Sequence, residues 1–341
     1  MRIVFFVIFF SSHLLKGQTL NDLSFGSDTT FDVVSWNIEW FPKNNTTASI
    51  VQEILTNIEA DVYALQEIED TTLLKQVVSN MPGYVCYFKS NYYGGLAYVY
   101  NTNTIQLNSK YEIFTSQPYW NAFPRSPQIL DFDFMGNNYI VINNHFKCCG
   151  DGLLNTNNSN DEENRRFQAV TYLKQFIDDS LSNKRVILLG DLNDNLTDNT
   201  TNNVFQEMIS DNTNYLFTDM LIAQGTSTNW SYPSWPSHLD HILITNELFL
   251  DYQNPHSDVS VIKIDDYMGS WSNYEDNVSD HRPIGLKLDF NIANNIVEAN
   301  NIEKRVVKVL DIFGRDVMKR GKGLIFNLYN DGTVEKRIII E

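Results

Sequence analysis

Short apolar runs recur through the first 290 positions, and stretches of helical spacing interrupt them. Phe31-Asp32-Val33-Val34-Ser35-Trp36 reads as a strand, and so does Asp61-Val62-Tyr63-Ala64-Leu65. Between them, Ile50, Val51, Ile54, Leu55 and Ile58 fall on one face of a helix over 47–58. The same reading predicts a short helix over 71–78 and a longer one over 162–179. Further strands are expected at 84–88, 95–100, 104–114, 128–134, 138–143, 185–189, 239–244, 258–264 and 283–290. Many strands with few crossover helices predict an α/β fold of layered mixed sheets.

The two ends differ from this body. Met1-Arg2 precedes the apolar run Ile3 to Phe10, which is too short to span a bilayer. Residues 1–17 therefore read as a secretory signal peptide, and the expected location is secreted or cell-surface. Nothing else in the sequence predicts stable membrane insertion, and a monomer is expected. The body spans 18–290, and residues 291–304 form a polar, Asn-rich linker. Residues 305–341 alternate apolar and polar around an Asn330-Asp331-Gly332 turn, which predicts a small all-β unit. Three cysteines, Cys86, Cys148 and Cys149, leave one thiol over after any pairing. A vicinal Cys148–Cys149 bridge and a link from either one to Cys86 are both open.

Charge narrows the function. The chain carries 25 basic and 42 acidic side chains, a formal net of −17. Residues 18–297 hold 14 of the basic and 35 of the acidic ones, a net of −21. A protein that binds polyanions through many Lys/Arg–phosphate contacts is excluded. A phosphate-bearing ligand needs a local positive exception, such as a bound divalent cation.

The polar residues at strand ends supply candidates. Strand 31–36 runs into Asn37-Ile38-Glu39, strand 61–65 into Gln66-Glu67, and strand 138–143 into Asn144-His145. Strand 185–189 runs into Gly190-Asp191-Leu192-Asn193. Ser237-His238-Leu239-Asp240-His241 and Ser279-Asp280-His281-Arg282-Pro283 open two later strands. Asn, Glu and Asp oxygens suit hard cations such as Mg²⁺ or Ca²⁺. A histidine with an Asp partner moves protons near neutral pH. Together they describe metal-assisted phosphodiester hydrolysis.

At these residues, in this order, the chain resembles the endonuclease/exonuclease/phosphatase superfamily over roughly residues 30–290. That group includes deoxyribonuclease I, abasic-site endonucleases, inositol-polyphosphate phosphatases and sphingomyelinases. The resemblance implies a four-layer sandwich of two mixed β-sheets between helices. It implies Asn37, Glu67 and Asp280 as ligands of Mg²⁺, or of Ca²⁺ or Mn²⁺. It implies His145 on the scissile phosphate, Asp191 positioning water or metal, Asn193 on phosphate, and Asp240 orienting His281 as an acid–base dyad. Arg125, in Phe123-Pro124-Arg125-Ser126-Pro127, and Tyr92 are implied as phosphate contacts. One departure stands out: deoxyribonuclease I-like members pair the first histidine with a Glu just after that tyrosine, and Gly94 stands here.

The tail, around Val309-Leu310-Asp311-Ile312-Phe313-Gly314-Arg315-Asp316-Val317, resembles C-terminal sorting domains of the type IX secretion system. The partners so implied are secretion machinery and a nucleic-acid substrate, DNA first. Other phosphoesters are the alternatives: a phospholipid, sphingomyelin or a small phosphate ester. An inactive surface binding protein is a third reading. Membrane-active members usually carry an exposed apolar hairpin, and residues 225–275 hold only scattered aromatics.

Several features keep two readings. Lys147-Cys148-Cys149-Gly150 opens a long loop to residue 161 that is either a lid or a solvated insertion. Arg165 and Arg166 either pair with Glu162 and Glu163 or reach substrate. His238 and His241 are site-adjacent or packed. Trp230, Trp235 and Trp271 stack bases or complete minor cores.

Overall fold

Alternation along the strands decides the architecture. In the computed structural model, which describes residues 18–89, 94–289, 306–311, 315, 323–330 and 334–339, the body contains twelve strands. They are β1 (Thr30–Phe41), β2 (Val62–Ile68), β3 (Tyr84–Tyr87), β4 (Gly95–Asn101), β5 (Gln106–Glu112) and β6 (Gln128–Phe134). The rest are β7 (Asn137–His145), β8 (Arg185–Asp191), β9 (Tyr215–Phe217), β10 (Asp240–Thr245), β11 (Asp258–Val261) and β12 (Ile284–Asp289). One sheet has the order β11-β12-β1-β2-β4-β3 and the other β5-β6-β7-β8-β10-β9. Each has a parallel pair at its centre, β1 with β2 and β7 with β8, and antiparallel strands around it.

Helices cover both outer faces. On β1, Val34, Trp36 and Ile38 pack with Val51, Ile54, Leu55 and Ile58 of α1 (Thr47–Ile58). Leu74, Val77 and Val78 of α2 (Thr71–Ser79) join the same core. On the second sheet, Ile140, Ile142, Val186 and Leu188 meet Ala169, Val170, Leu173 and Ile177 of α3 (Glu162–Ser180). The intervening positions turn toward the other sheet. Phe31 of β1 lies 5.5 Å from the ring of Phe132 and 5.3 Å from that of Tyr139. Strands buried on both faces explain the near-continuous apolar runs. The result is the expected four-layer α/β sandwich of two six-stranded mixed sheets.

The layer between the sheets turns polar near one end. Gln66 Nε2 donates to Asn143 Oδ1 at 2.8 Å, and Asn143 Nδ2 donates to the carbonyls of Leu65 and Ala97. Tyr98 OH donates to the Val141 carbonyl at 2.8 Å. These bonds join the sheets directly, so the strand ends beyond them are held in fixed relative positions.

Most predicted elements occur, with altered limits. The strand expected at 31–36 continues to Phe41, and that at 138–143 continues to His145. Their ladders persist through polar residues because those residues have paired neighbours, as His145 has Asp191. The strand expected at 258–264 stops at Val261, and a helical turn starts at Ile264. The short edge strand β9 was not legible in the sequence.

The chain divides after Asp289 into two compact units. In the second, β13 (Val306–Asp311), β14 (Gly323–Tyr329) and β15 (Val334–Ile339) form an antiparallel sheet in that order. The residues assigned to the signal peptide and to the linker lie outside the described residues. Among the described residues, no helix is long and apolar enough to cross a membrane.

Candidate active site

Register assembles half of the site. His145, at the end of β7, lies opposite Asp191 on β8, and Asp191 lies opposite Asp240 on β10. All three fall on the face toward the other sheet by plain alternation, since Val186, Leu188 and Leu243 point to the helix side. The row needs Gly190. Its φ is +143°, and a Cβ there would stand 1.9 Å from the Asn144 carbonyl oxygen.

The first sheet delivers its residues differently. Asn37 follows alternation. Glu67 does not, because Tyr63 and Leu65 on β2 point into the helix-side core. Register shifts occur between Leu65 and Ile68 and between Asn37 and Phe41. Glu67 has φ +60°, in the left-handed region that costs a non-glycine residue about 1–3 kcal/mol. This bulge turns its carboxylate toward Asn37, whose Nδ2 donates to Glu67 Oε1 at 3.2 Å and to Asp191 Oδ2 at 2.9 Å.

The last block is tied to β1. Ser279 Oγ donates to the Asn37 carbonyl at 2.7 Å and accepts from His281 N at 2.9 Å. His281 Nδ1 then sits 2.8 Å from Asp240 Oδ2, and Nε2 lies 3.7 Å from Asp191 Oδ2. The Tyr232 ring covers the imidazole at 4.7 Å between centroids. Burial disfavours the charged ring, but Asp240 and Asp191 outweigh it and hold His281 well above the ordinary histidine range. Burial pushes Asp191 up to about 7; the His281 charge opposes this and Asp240 adds to it.

His145 is the opposite case. Burial, then the charges of Arg125 and His281, hold it well below the ordinary range. Its Nδ1 is buried without a hydrogen-bond partner among the described residues. Its Nε2 is 3.5 Å from Asp191 Oδ2 and 3.8 Å from Glu67 Oε1. Arg125 Nε donates to the Gly94 carbonyl at 3.1 Å. Asn193 N donates to Asp191 Oδ1 at 3.1 Å.

The donor set fits a hard divalent cation. Asn37, Glu67 and Asp280 offer oxygens, and Glu39 stands beside them, accepting from Asp280 N at 2.9 Å. Burial raises the Asp280 carboxyl against the pull of His281, and the Glu67 charge raises it further. Burial also raises Glu39, opposed by its Lys43 partner and reinforced by Asp280. Crowded acids with so little local positive charge are what a cation neutralises. Among the described residues, buried Asp240 Oδ1 also has no partner. Asp191, Asp240 and His281 have ligating atoms within 4.8 Å of one another. Glu39 was missed as a site residue; its place two positions after Asn37 was the available signal.

Asn37, Glu67, His145, Asp191, Asn193, Asp240, Asp280 and His281 thus meet at one end of the sandwich, with Arg125 acting on His145. Tyr92 lies outside the described residues. His238 and His241 do not join the dyad; both bind Asp219, at 3.0 and 2.6 Å, because His241 falls one position off Asp240 and faces the helix side. Arg166 pairs with Glu163 and with Asp194, and Arg165 donates to the Asn121 carbonyl. Trp230 donates to the Ile222 carbonyl, and Trp271 packs under the Arg282 guanidinium. Trp235 is 78% exposed and lines the cleft, whose volume is about 610 Å³.

The sandwich and this cleft define a phosphoesterase-type fold, and residues 34–281 match the model of the Endonuclease/Exonuclease/phosphatase family. The chain belongs to that family, whose members are metal-dependent hydrolases. Among curated proteins none matches the sequence. Among solved structures, D. rerio TDP2 complexed with single strand DNA product is 15% identical, with a TM-score of 0.56 over 77% of this chain and 100% of that one. The human Nocturnin catalytic domain with bound sulfate anion is 17% identical, with a TM-score of 0.54 over 76% of this chain and 93% of that one. An endonuclease/exonuclease/phosphatase from Bacteroides vulgatus is 12% identical, with a TM-score of 0.54 over 76% and 99%. At these identities the likeness is one of fold.

Proposed function

We propose that the chain is a secreted or cell-surface, divalent-metal-dependent phosphodiesterase that hydrolyses DNA. The observation that carries this is the His281–Asp240 pair at 2.8 Å beside a crowd of carboxylates in one cleft. A cation held by Asn37, Glu67 and Asp280 would supply neutralisation of phosphate charge. Asp191, pushed up to about 7, accepts the proton of the attacking water. The His281 imidazolium, oriented by Asp240, gives its Nε2 proton to the leaving oxygen. Asp191 then returns a proton to His281 across the 3.7 Å between them, which resets the pair. His145 stays neutral and donates from Nε2 to the phosphate, with Asn193 and Arg125 as further contacts. Tyr92 is assigned to the same phosphate group.

Two observations favour DNA over a lipid or a small phosphate ester. Exposed Trp235 offers a stacking face at the cleft, and a relative of the same fold is described with a single-strand DNA product. We further assign 1–17 to a signal peptide, 18–290 to the catalytic domain, 291–304 to a linker and 305–341 to a sorting unit for secretion machinery. The test is an assay of the purified protein on plasmid DNA, RNA, sphingomyelin and phosphate monoesters with Mg²⁺, Ca²⁺, Mn²⁺ or chelator. Metal-dependent cleavage of DNA is expected. Intact DNA under every metal overturns the reading.

A further inference from the structure

Two thiols stand at the wall of the same cleft and take no part in the chemistry above. Cys148 and Cys149 are both free and exposed, with Sγ atoms 3.0 Å apart. The Cys149 thiol donates to Cys148 Sγ, and Lys147 Nζ lies 3.7 Å from that sulfur. Cys148 Sγ therefore sits between a thiol donor and an ammonium group. The partner contact also raises the Cys149 thiol above its ordinary value, ahead of burial. Cys86 is elsewhere, half-buried on the edge strand β3 of the other sheet.

What lies beneath the pair is a clamp. Arg166 is 2% exposed. Its Nη1 donates to the carbonyls of Lys147 and Cys149, each at 2.7 Å. Its Nε donates to Asp194 Oδ2 at 2.8 Å, and its Nη2 lies 3.3 Å from Glu163 Oε1. Asp194 directly follows Asn193, whose amide is bonded to Asp191. One guanidinium therefore ties the backbone on both sides of Cys148 to the segment that carries Asp191 and Asn193.

We propose that Cys148 and Cys149 form a reversible redox modification site: a small-molecule disulfide oxidises the pair to a vicinal disulfide, which loosens the Arg166 clamp on the cleft. The Cys148 thiolate attacks one sulfur of the reagent and displaces its first thiol. Cys149 then attacks Cys148 of the mixed disulfide and displaces the second. One S–S bond forms in the protein and one breaks in the reagent. Two electrons pass to the reagent, and the protons of both cysteines leave with its two thiols. Adjacent Cα atoms across a trans peptide are only about 3.8 Å apart, closer than the roughly 4.4–6.8 Å of ordinary disulfides. The bridge is therefore strained and easily reduced, the property of a switch and not of a structural staple. Closing the ring twists the Cys148–Cys149 peptide, and the Cys149 carbonyl leaves Arg166.

The experiment treats the full chain with oxidised glutathione, then with a thiol reductant. Peptide mapping is expected to show Cys148 joined to Cys149, with loss of two hydrogens and Cys86 still free. Amides of 192–196 should then exchange with solvent about five-fold faster or more, and reduction should reverse this. Cys148→Ser and Cys149→Ser should keep the reduced-state exchange and form no ring with oxidant, the Cys149→Ser chain stopping at a mixed disulfide on Cys148 with exchange at 192–196 unchanged. Separate mixed disulfides, a link to Cys86, or a closed ring with unchanged exchange at 192–196 each overturn the proposal. Slower DNA hydrolysis on oxidation is also expected; that readout rests on the nuclease reading, whereas mapping and exchange do not. If DNA is never cut, the nuclease reading fails while mapping and exchange still decide this one.

Discussion

The two sheets share a plan but build their halves of the site by different means. The second sheet uses regular geometry: His145, Asp191 and Asp240 lie in one hydrogen-bonded row, each where alternation puts it. The first sheet breaks geometry: two register shifts and a left-handed Glu67 turn an acid that alternation would bury against α1 and α2. The row carries Asp191 and Asp240, assigned as base and as orienting acid, and His281 reaches it from the segment before β12, while Glu67 on the bulged end is assigned to the cation. Regular ladders can space neighbouring polar residues such as Asp191 and Asp240 at about 5 Å. Converging several acids on one point needs a side chain from off the ladder, and the strain is the cost of aiming it.

The largest predicted effect separates these roles. His281→Ala should lower metal-dependent phosphodiester hydrolysis by about 10³-fold, within the span of lost acid–base catalysis, and added Mg²⁺ should not restore it. Glu67→Ala should lose a similar factor at low Mg²⁺ and regain part of it as Mg²⁺ rises, because its loss weakens the cation and leaves the dyad. Steady-state rates across a metal titration check both. Identical metal responses would remove the division of labour between the His281–Asp240 dyad and the cation ligands.

Gly190→Ala tests the regular half. A Cβ 1.9 Å from the Asn144 carbonyl, on a residue with φ +143°, leaves no room in the β7–β8 pair. The variant should be destabilised by about 4 kcal/mol, the range reserved for a backbone clash in a core. Chemical denaturation measures it, and an unchanged midpoint would show that the row does not depend on this close approach.

The same contrast explains what could be read in the sequence. The row was legible, because apolar strand residues followed by Asn-His or Gly-Asp state both the strand and the side that its end faces. The layered fold was legible for the same reason: strands buried on both faces leave continuous apolar runs. The bulges were not. Nothing in Leu65-Gln66-Glu67-Ile68 announces a left-handed residue, and alternation alone assigns Glu67 to the helix side. Only the resemblance to a family supplied its role. Glu39 was missed for a related reason, since its contact with Asp280 N comes from a chain segment 241 positions away. The His238 and His241 ambiguity was of the opposite kind. One step along β10 changes face, so His241 belongs with Asp219 while Asp240 belongs with His281.

The smallest predicted effect is the sharpest test of the difference, because its sign reverses between the sheets. At position 67 the backbone is left-handed, where a Cβ is penalised and glycine is not. Glu67→Gly should therefore be more stable than Glu67→Ala by about 1 kcal/mol, although both lose the carboxylate. At position 191 the strand is regular and paired on both sides. There Asp191→Gly should be less stable than Asp191→Ala by about 0.5–1 kcal/mol, the ordinary entropic cost of glycine in a strand. Urea unfolding of the four variants in chelator, where no cation contributes, gives both differences. The same sign at both positions would mean that Glu67 is not strained and that the two sheets aim their acids in the same way.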